Sequence, residues 1–117
     1  MGSLPSPVNL VTPGQPLVGT SSVNVIGANL TRAGLYVFNP GNTNVIWITP
    51  QTTAQTPLAP GGVNNPAVVG GAGCIPIQPQ QGLMLGPPNN MPNFTNGLNA
   101  IASAGSNNPF TIWEFYP

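Results

Sequence analysis

The chain has 117 residues, and its only charged side chains are Arg32 and Glu114. Soluble domains usually carry charge on about a quarter of their residues, whereas here the fraction is 2%. One Arg cannot neutralise many phosphates, which excludes nucleic acid as a partner. There is no His, a single carboxylate and one cysteine, Cys74. Acid–base catalysis and metal binding therefore lack the residues they need, and we predict no enzyme, no catalytic residue, no cofactor and no metal.

The hydrophobic residues are numerous enough for one ordered domain. They make up 40% of the chain and occur in short runs, which 15 Gly and 16 Pro separate. No run approaches the ~18 apolar residues that span a bilayer, and the first residues lack the basic and apolar regions of a signal peptide. We expect no membrane partner, and the lone Cys74 fits folding in a reducing cytoplasm.

Residues 1–17 are rich in proline and show little periodicity, which predicts an extended N-terminal arm ahead of a β-sandwich domain over residues 18–117. An arm that lies on a neighbouring subunit and a frayed terminus are both open. If the arm makes such contacts, its apolar and proline residues are the candidate interface residues: Pro5, Pro7, Leu10 and Pro13.

The next segments read as strands. Polar and β-branched residues alternate over residues 18–29, which is typical of a strand with one buried face. Residues 32–38 and 44–49 are rich in aromatic and β-branched residues, and the Asn-Pro-Gly-Asn sequence at 39–42 is a strong turn signal. Together they predict a β-hairpin over Arg32 to Thr49.

Short strands and long loops make up the rest of the chain. Two short strands are expected at 74–77, where Pro76 places the strand at a sheet edge, and at 82–85. Residues 98–104 fit either strand or helix, and residues 110–116 form a last strand. The predicted fold is all-β: a compact antiparallel β-sandwich or barrel of about six to eight short strands. Long Pro-, Gly- and Asn-rich loops, at 50–73 and 86–94, connect these strands.

Arg32 and Glu114 are the candidate structural ion pair, because each is the only possible intrachain partner of the other. An unpaired charge at a half-buried position is expensive, so we expect the two to meet across the sheet and fix the register of their strands. In the alternative, both are solvated or reach neighbouring subunits.

The aromatic residues divide into core and interface candidates. Tyr36, Phe38 and Phe115 are expected in the core. Trp47 and Tyr116 are the candidate interface anchors, since an exposed Trp or Tyr stacks on a sugar ring or enters a neighbour's pocket. The remaining polar surface is built from amides and hydroxyls, whose hydrogen bonds depend little on salt or pH. Drift in composition would produce the same surface.

The residues of the predicted hairpin resemble a family of small β-rich accessory proteins of tailed bacteriophage virions. The similar features are an Arg that opens a strand, an Asn-Pro turn and a Val-rich return strand, here residues 32–48. A Leu-x-Pro-Gly-Gly step at 58–62, a small-residue strand at 98–104 and a last strand near Glu114 follow in the same order. The chain departs from the pattern in its loss of charge and its longer loops.

The resemblance implies a virion structural protein, first of all a capsid decoration (cement) protein that stabilises the phage head by bridging capsid subunits. Its partners would be the major capsid protein or other virion proteins, and it would form a homo-oligomer on the exterior of the capsid or tail after synthesis in the host cytoplasm. The alternative is a tail or vertex component, fibre- or adaptor-like, that recognises host-surface glycans. A bacterial surface or matrix protein is a weaker third option.

Overall fold

The computed structural model describes residues 10–29, 31–51, 65–85 and 96–116. These residues contain no helix, and none of them forms a segment that could cross a membrane as a helix. The strands they form are β1 (Leu10–Gly14), β2 (Leu17–Val18), β3 (Val23–Ile26), β4 (Gly34–Phe38), β5 (Ile46–Pro50), β6 (Ile75–Ile77), β7 (Gly82–Leu85), β8 (Leu98–Ala102), β9 (Asn108–Pro109) and β10 (Thr111–Tyr116). The predicted all-β sandwich is therefore confirmed.

The strands form two four-stranded antiparallel sheets. The first sheet has the order β1-β10-β4-β7, and the second has the order β3-β8-β5-β6. The short strands β2 and β9 pair with each other and continue β1 and β10. At that corner the amide of Ala102 in β8 donates to the carbonyl of Gly19 over 2.8 Å, which links this ribbon to the second sheet.

The chain crosses from one sheet to the other at nearly every connection. Among the strands that the described residues form, only β5 and β6 follow each other as neighbours in one sheet. Two four-stranded sheets with these strand orders and crossings are the arrangement of a jelly roll. The segment at 98–104, which the sequence left open, supplies the central strand β8, and β6 with Pro76 lies at a sheet edge as predicted.

Aliphatic side chains from both sheets form the core between them. Leu35 and Val37 of β4 and Ile112 of β10 face Ile46 and Ile48 of β5, and all five are buried. Phe110, between β9 and β10, is the largest fully buried side chain described. The inward positions alternate with outward ones, as the two-residue period of a strand requires.

The predicted hairpin over Arg32 to Thr49 is wrong in its pairing, although both strands exist. Strand β4 pairs with β10 and β7, and β5 pairs with β8 and β6. The turn at 39–42 carries the chain across the sandwich instead. The buried side chain of Asn39 stabilises this crossing, since its Nδ2 donates to the carbonyls of Asn44 and Ile77, both over 2.9 Å.

Part of the predicted N-terminal arm belongs to the sandwich. Strand β1 pairs with β10 of the same chain along its whole length, and β2 pairs with β9. The sandwich therefore begins at or before Leu10, and the predicted boundary between residues 17 and 18 is corrected. Residues 1–9 of the predicted arm lie outside the described residues.

Candidate functional site

Arg32 and Glu114 form an ion pair at one end of the core. Nε of Arg32 donates to Oε2 of Glu114 over 3.0 Å, and Nη2 lies 2.9 Å from the same oxygen. The Arg32 side chain is 0% exposed and that of Glu114 is 16% exposed. Glu114 points inward because it alternates with outward-facing Trp113 and lies two residues after buried Ile112. The pair therefore closes the end of the hydrophobic core, and we call this end of the sandwich the Arg32 end.

Arg32 also binds two backbone carbonyls from separate parts of the chain. Nη1 donates to the carbonyl of Asn96 over 3.1 Å, and Nη2 donates to that of Gly27 over 2.7 Å. The planar guanidinium offers five donors in a fixed geometry, which suits several acceptors at once. One side chain thus joins the β3–β4 connection, the residues before β8 and the last strand.

Tyr116 extends the ion pair. Its hydroxyl accepts a hydrogen bond from Nδ2 of Asn29 over 3.0 Å. Burial, followed by the neighbouring carboxylate of Glu114, raises the pKa of Tyr116 above its ordinary value of 10.0. The folded chain therefore favours the protonated form of Tyr116.

Buried amides continue the network beside the pair. Nδ2 of Asn96 donates to the carbonyl of Gln51 over 2.7 Å, Nε2 of Gln51 donates to Oδ1 of Asn99 over 3.3 Å, and Nδ2 of Asn99 donates to the carbonyl of Asn65 over 2.9 Å. In the described ranges, no buried side-chain nitrogen or oxygen lacks a partner. The polar groups of the Arg32 end are thus bonded to one another, which is the pattern of a structural network.

The Arg32 end has little scope for chemistry. An Arg guanidinium stays protonated in proteins, so it cannot accept a proton from a nucleophile. Within the described residues, no three His, Cys, Asp or Glu side chains lie close enough to hold a metal ion. What the arrangement can do is hold loops and strands in place.

A second region of interest is the outer face of the first sheet, which is aromatic. Tyr36 of β4 lies beside Trp113 of β10, with ring centroids 5.9 Å apart, and Trp113 meets Phe115 edge-on at 6.5 Å. The hydroxyl end of Tyr36 lies over Gly82 of β7, where a Cβ would overlap it. The expectation that Tyr36, Phe38 and Phe115 are core residues is wrong: they are half-buried and lie on the outer face, on the opposite side of their strands from the core residues.

Trp113 is the most exposed aromatic side chain described, at 43%. It lines an open pocket of about 320 Å³ at the β1 side of this face, together with Gly14, Gln15 and Thr111. The pocket thus combines an indole, an amide and a hydroxyl, and none of the described residues that line it is charged.

The chain matches no protein-family model, no curated protein and no solved structure.

The other candidate interface residues have varied positions. Trp47 is half-buried on the outer face of the second sheet. Leu10 and Pro13 lie in β1, where their backbones are paired with those of Tyr116 and Trp113. Pro5 and Pro7 lie outside the described residues.

Sequence reasoning missed the pocket and the buried amides. The alternation of residues 111–116 indicated that Trp113 and Phe115 share a face but did not indicate which face is buried. Gln15 falls in the segment read as an arm, so nothing suggested that it lies near Thr111. Gln51, Asn96 and Asn99 look like loop or surface residues in the sequence, and their burial depends on contacts between distant segments.

Proposed function

We propose that this chain is a structural protein of a virion, specifically a capsid decoration (cement) protein that stabilises a phage head by bridging capsid subunits. It would bind the major capsid protein or other virion proteins and repeat on the particle by symmetry. Bridging stabilises the shell by mass action, because the protein binds the assembled form and not the separated subunits.

The observation that carries the proposal is the burial of the two charged side chains against each other. The one cation of the chain is wholly buried against the one carboxylate, so no Lys, Arg, Asp or His is available to the outer surface. Charge keeps freely dissolved proteins apart, and a surface without it favours association. Such a surface suits a protein that stays bound in a fixed assembly.

The fold supports the proposal by analogy only. Viral capsid domains share the jelly-roll arrangement, but so do lectin domains and cupins. The composition separates these options, since a cupin-like metal site needs several His or carboxylate ligands, and the sequence has no His and one carboxylate. A lectin-like role needs a sugar site instead, and the pocket at Trp113 is the candidate for such a site.

The decisive experiment is to count the copies of the chain in purified particles of the phage that encodes it. Quantitative mass spectrometry should find a copy number comparable with that of the major capsid protein. Particles from a deletion strain should lose their shells at a lower temperature. A few copies per particle would overturn the decoration role in favour of a tail or vertex component.

Salt provides a second test of the same proposal. The purified chain is added back to deletion particles at about 0.05 M and about 1 M NaCl, conditions that differ strongly in screening. Because the chain has almost no surface charge to screen, we expect equal binding at both concentrations. Release by high salt would contradict an interface of amide and apolar contacts.

A further inference from the structure

The pocket beside Trp113 is an open depression on the outer face of the first sheet. Its volume of about 320 Å³ lies at the lower end of the range of about 300–1,000 Å³ for small-molecule clefts. Burying an indole is strongly favourable, yet Trp113 leaves 43% of its surface to solvent. The rings of Tyr36 and Phe115 flank it, with ring centroids 5.9 and 6.5 Å away. These two rings thus pack beside the indole without covering it.

The polar side chains at the pocket are neutral and can form hydrogen bonds to a ligand. Gln15 offers an amide with donors and an acceptor, and Thr111 offers a hydroxyl that does both. Neither side chain is hydrogen-bonded to another described residue. The only guanidinium of the chain is buried at the Arg32 end, so a carboxylate, sulfate or phosphate would find no cation here.

We propose that this pocket binds a neutral hexose unit of a polysaccharide. The C–H face of a pyranose ring is apolar and weakly positive, so it stacks on the negative π face of Trp113. The hydroxyls around the ring edge then reach the amide of Gln15 and the hydroxyl of Thr111. A flat apolar partner would leave these two polar groups unpaired, which favours a sugar over an apolar protein surface. The proposal does not depend on the decoration role.

Fluorescence provides a direct readout, because the chain has two Trp residues. The variant Trp47→Phe leaves Trp113 as the sole indole and changes a residue on the opposite sheet. It is titrated with neutral oligosaccharides of glucose, galactose and N-acetylglucosamine, with a sialylated oligosaccharide for comparison. We expect a saturable change in emission with at least one neutral sugar, with a Kd of about 1 mM for a single ring platform. The sialylated sugar should bind no tighter.

Variants assign the binding to the pocket. By calorimetry, Trp113→Ala should weaken binding of that sugar by about tenfold or more, the effect of losing roughly 1.4 kcal/mol. Thr111→Val keeps the shape and removes the hydroxyl, and Gln15→Ala removes the amide; each should weaken binding severalfold. Trp47→Phe should bind as the unaltered chain does. The two milder variants keep the test open if Trp113→Ala does not fold.

Two results would overturn the proposal. One is that no neutral sugar on the panel changes the emission of Trp113 or gives measurable heat. The other is that a sugar binds equally well to Trp113→Ala, Thr111→Val and Gln15→Ala. If Trp113→Ala instead abolishes association of the chain with itself or with particles, while no sugar binds, the aromatic face is a protein contact.

Discussion

Nε of Arg32 donates to Oε2 of Glu114 at the end of the sandwich, and Nη2 lies 2.9 Å from the same oxygen. Arg32 lies in the connection between β3 and β4, whereas Glu114 lies on β10, the strand that pairs with both β1 and β4. The guanidinium also donates to the carbonyls of Gly27 and Asn96. The contact therefore joins three distant segments, and its loss affects more than one hydrogen bond.

Replacing Arg32 should destabilise the fold strongly. Arg32→Met leaves the Glu114 carboxylate without its cation and two carbonyls without donors, and breaking a buried pair costs about 3 kcal/mol or more. Urea unfolding followed by fluorescence measures the loss. Arg32→Lys keeps the charge but not the planar fork, so it should recover only part of the stability. If Arg32→Met unfolds at the same urea concentration as the unaltered chain, the pair has no structural role.

Tyr116 should make the fold sensitive to alkali. Its pKa is raised in the folded chain, first by burial and then by Glu114. Its contribution is therefore complete below the unfolded pKa of 10.0 and is lost as the pH rises through the folded value. The free energy of unfolding, measured by urea between about pH 8 and about pH 11, should fall more steeply for the unaltered chain than for Tyr116→Phe. Equal slopes in the two proteins would contradict the assignment.

The sequence predicted the position of most strands but not their partners. The runs at 34–38, 46–50 and 111–116 were recognisable because β-branched and aromatic residues alternate there. The Asn-Pro-Gly-Asn turn indicates a reversal of the chain but not whether the next strand stays in the same sheet. That choice depends on buried Asn39, whose carboxamide binds the distant carbonyl of Ile77.

The candidate sites were predictable to a similar, partial degree. Arg32 and Glu114 could be paired from the sequence because no other charged partner exists in the chain. The face that carries Tyr36 and Trp113 could not be assigned, since aromatic and aliphatic sets alternate along β4 and β10, and either could have been buried. The aliphatic set packs between the sheets and leaves the larger rings outside.

Asn39 should be essential for the crossing between the sheets. Its side chain is 1% exposed, and it donates to two carbonyls and accepts from the amide of Gly41 over 3.0 Å. Asn39→Ala leaves these groups without partners, so we expect a loss of about 2–3 kcal/mol in the free energy of unfolding. Asn42→Ala, at an exposed position of the same turn, should change it by less than about 0.5 kcal/mol. Similar effects of the two substitutions would indicate that Asn39 does not hold the crossing.

Gly97 should tolerate no side chain, because the side chain of Gln51 and the backbone of Ile26 occupy the space that a Cβ would need. A Cβ at Gly97 would lie 2.8 Å from the carbonyl oxygen of Ile26 and 2.5 Å from Oε1 of Gln51. Overpacking of this kind costs about 1–3 kcal/mol, so Gly97→Ala should lower the midpoint of thermal unfolding by several degrees. Gly27→Ala is the matched control, since a Cβ there has nothing within 4 Å and its carbonyl still accepts from Arg32. If the Gly97→Ala and Gly27→Ala proteins have the same midpoint of thermal unfolding, the prediction is wrong, and the backbone before β8 shifts to accommodate the added methyl group.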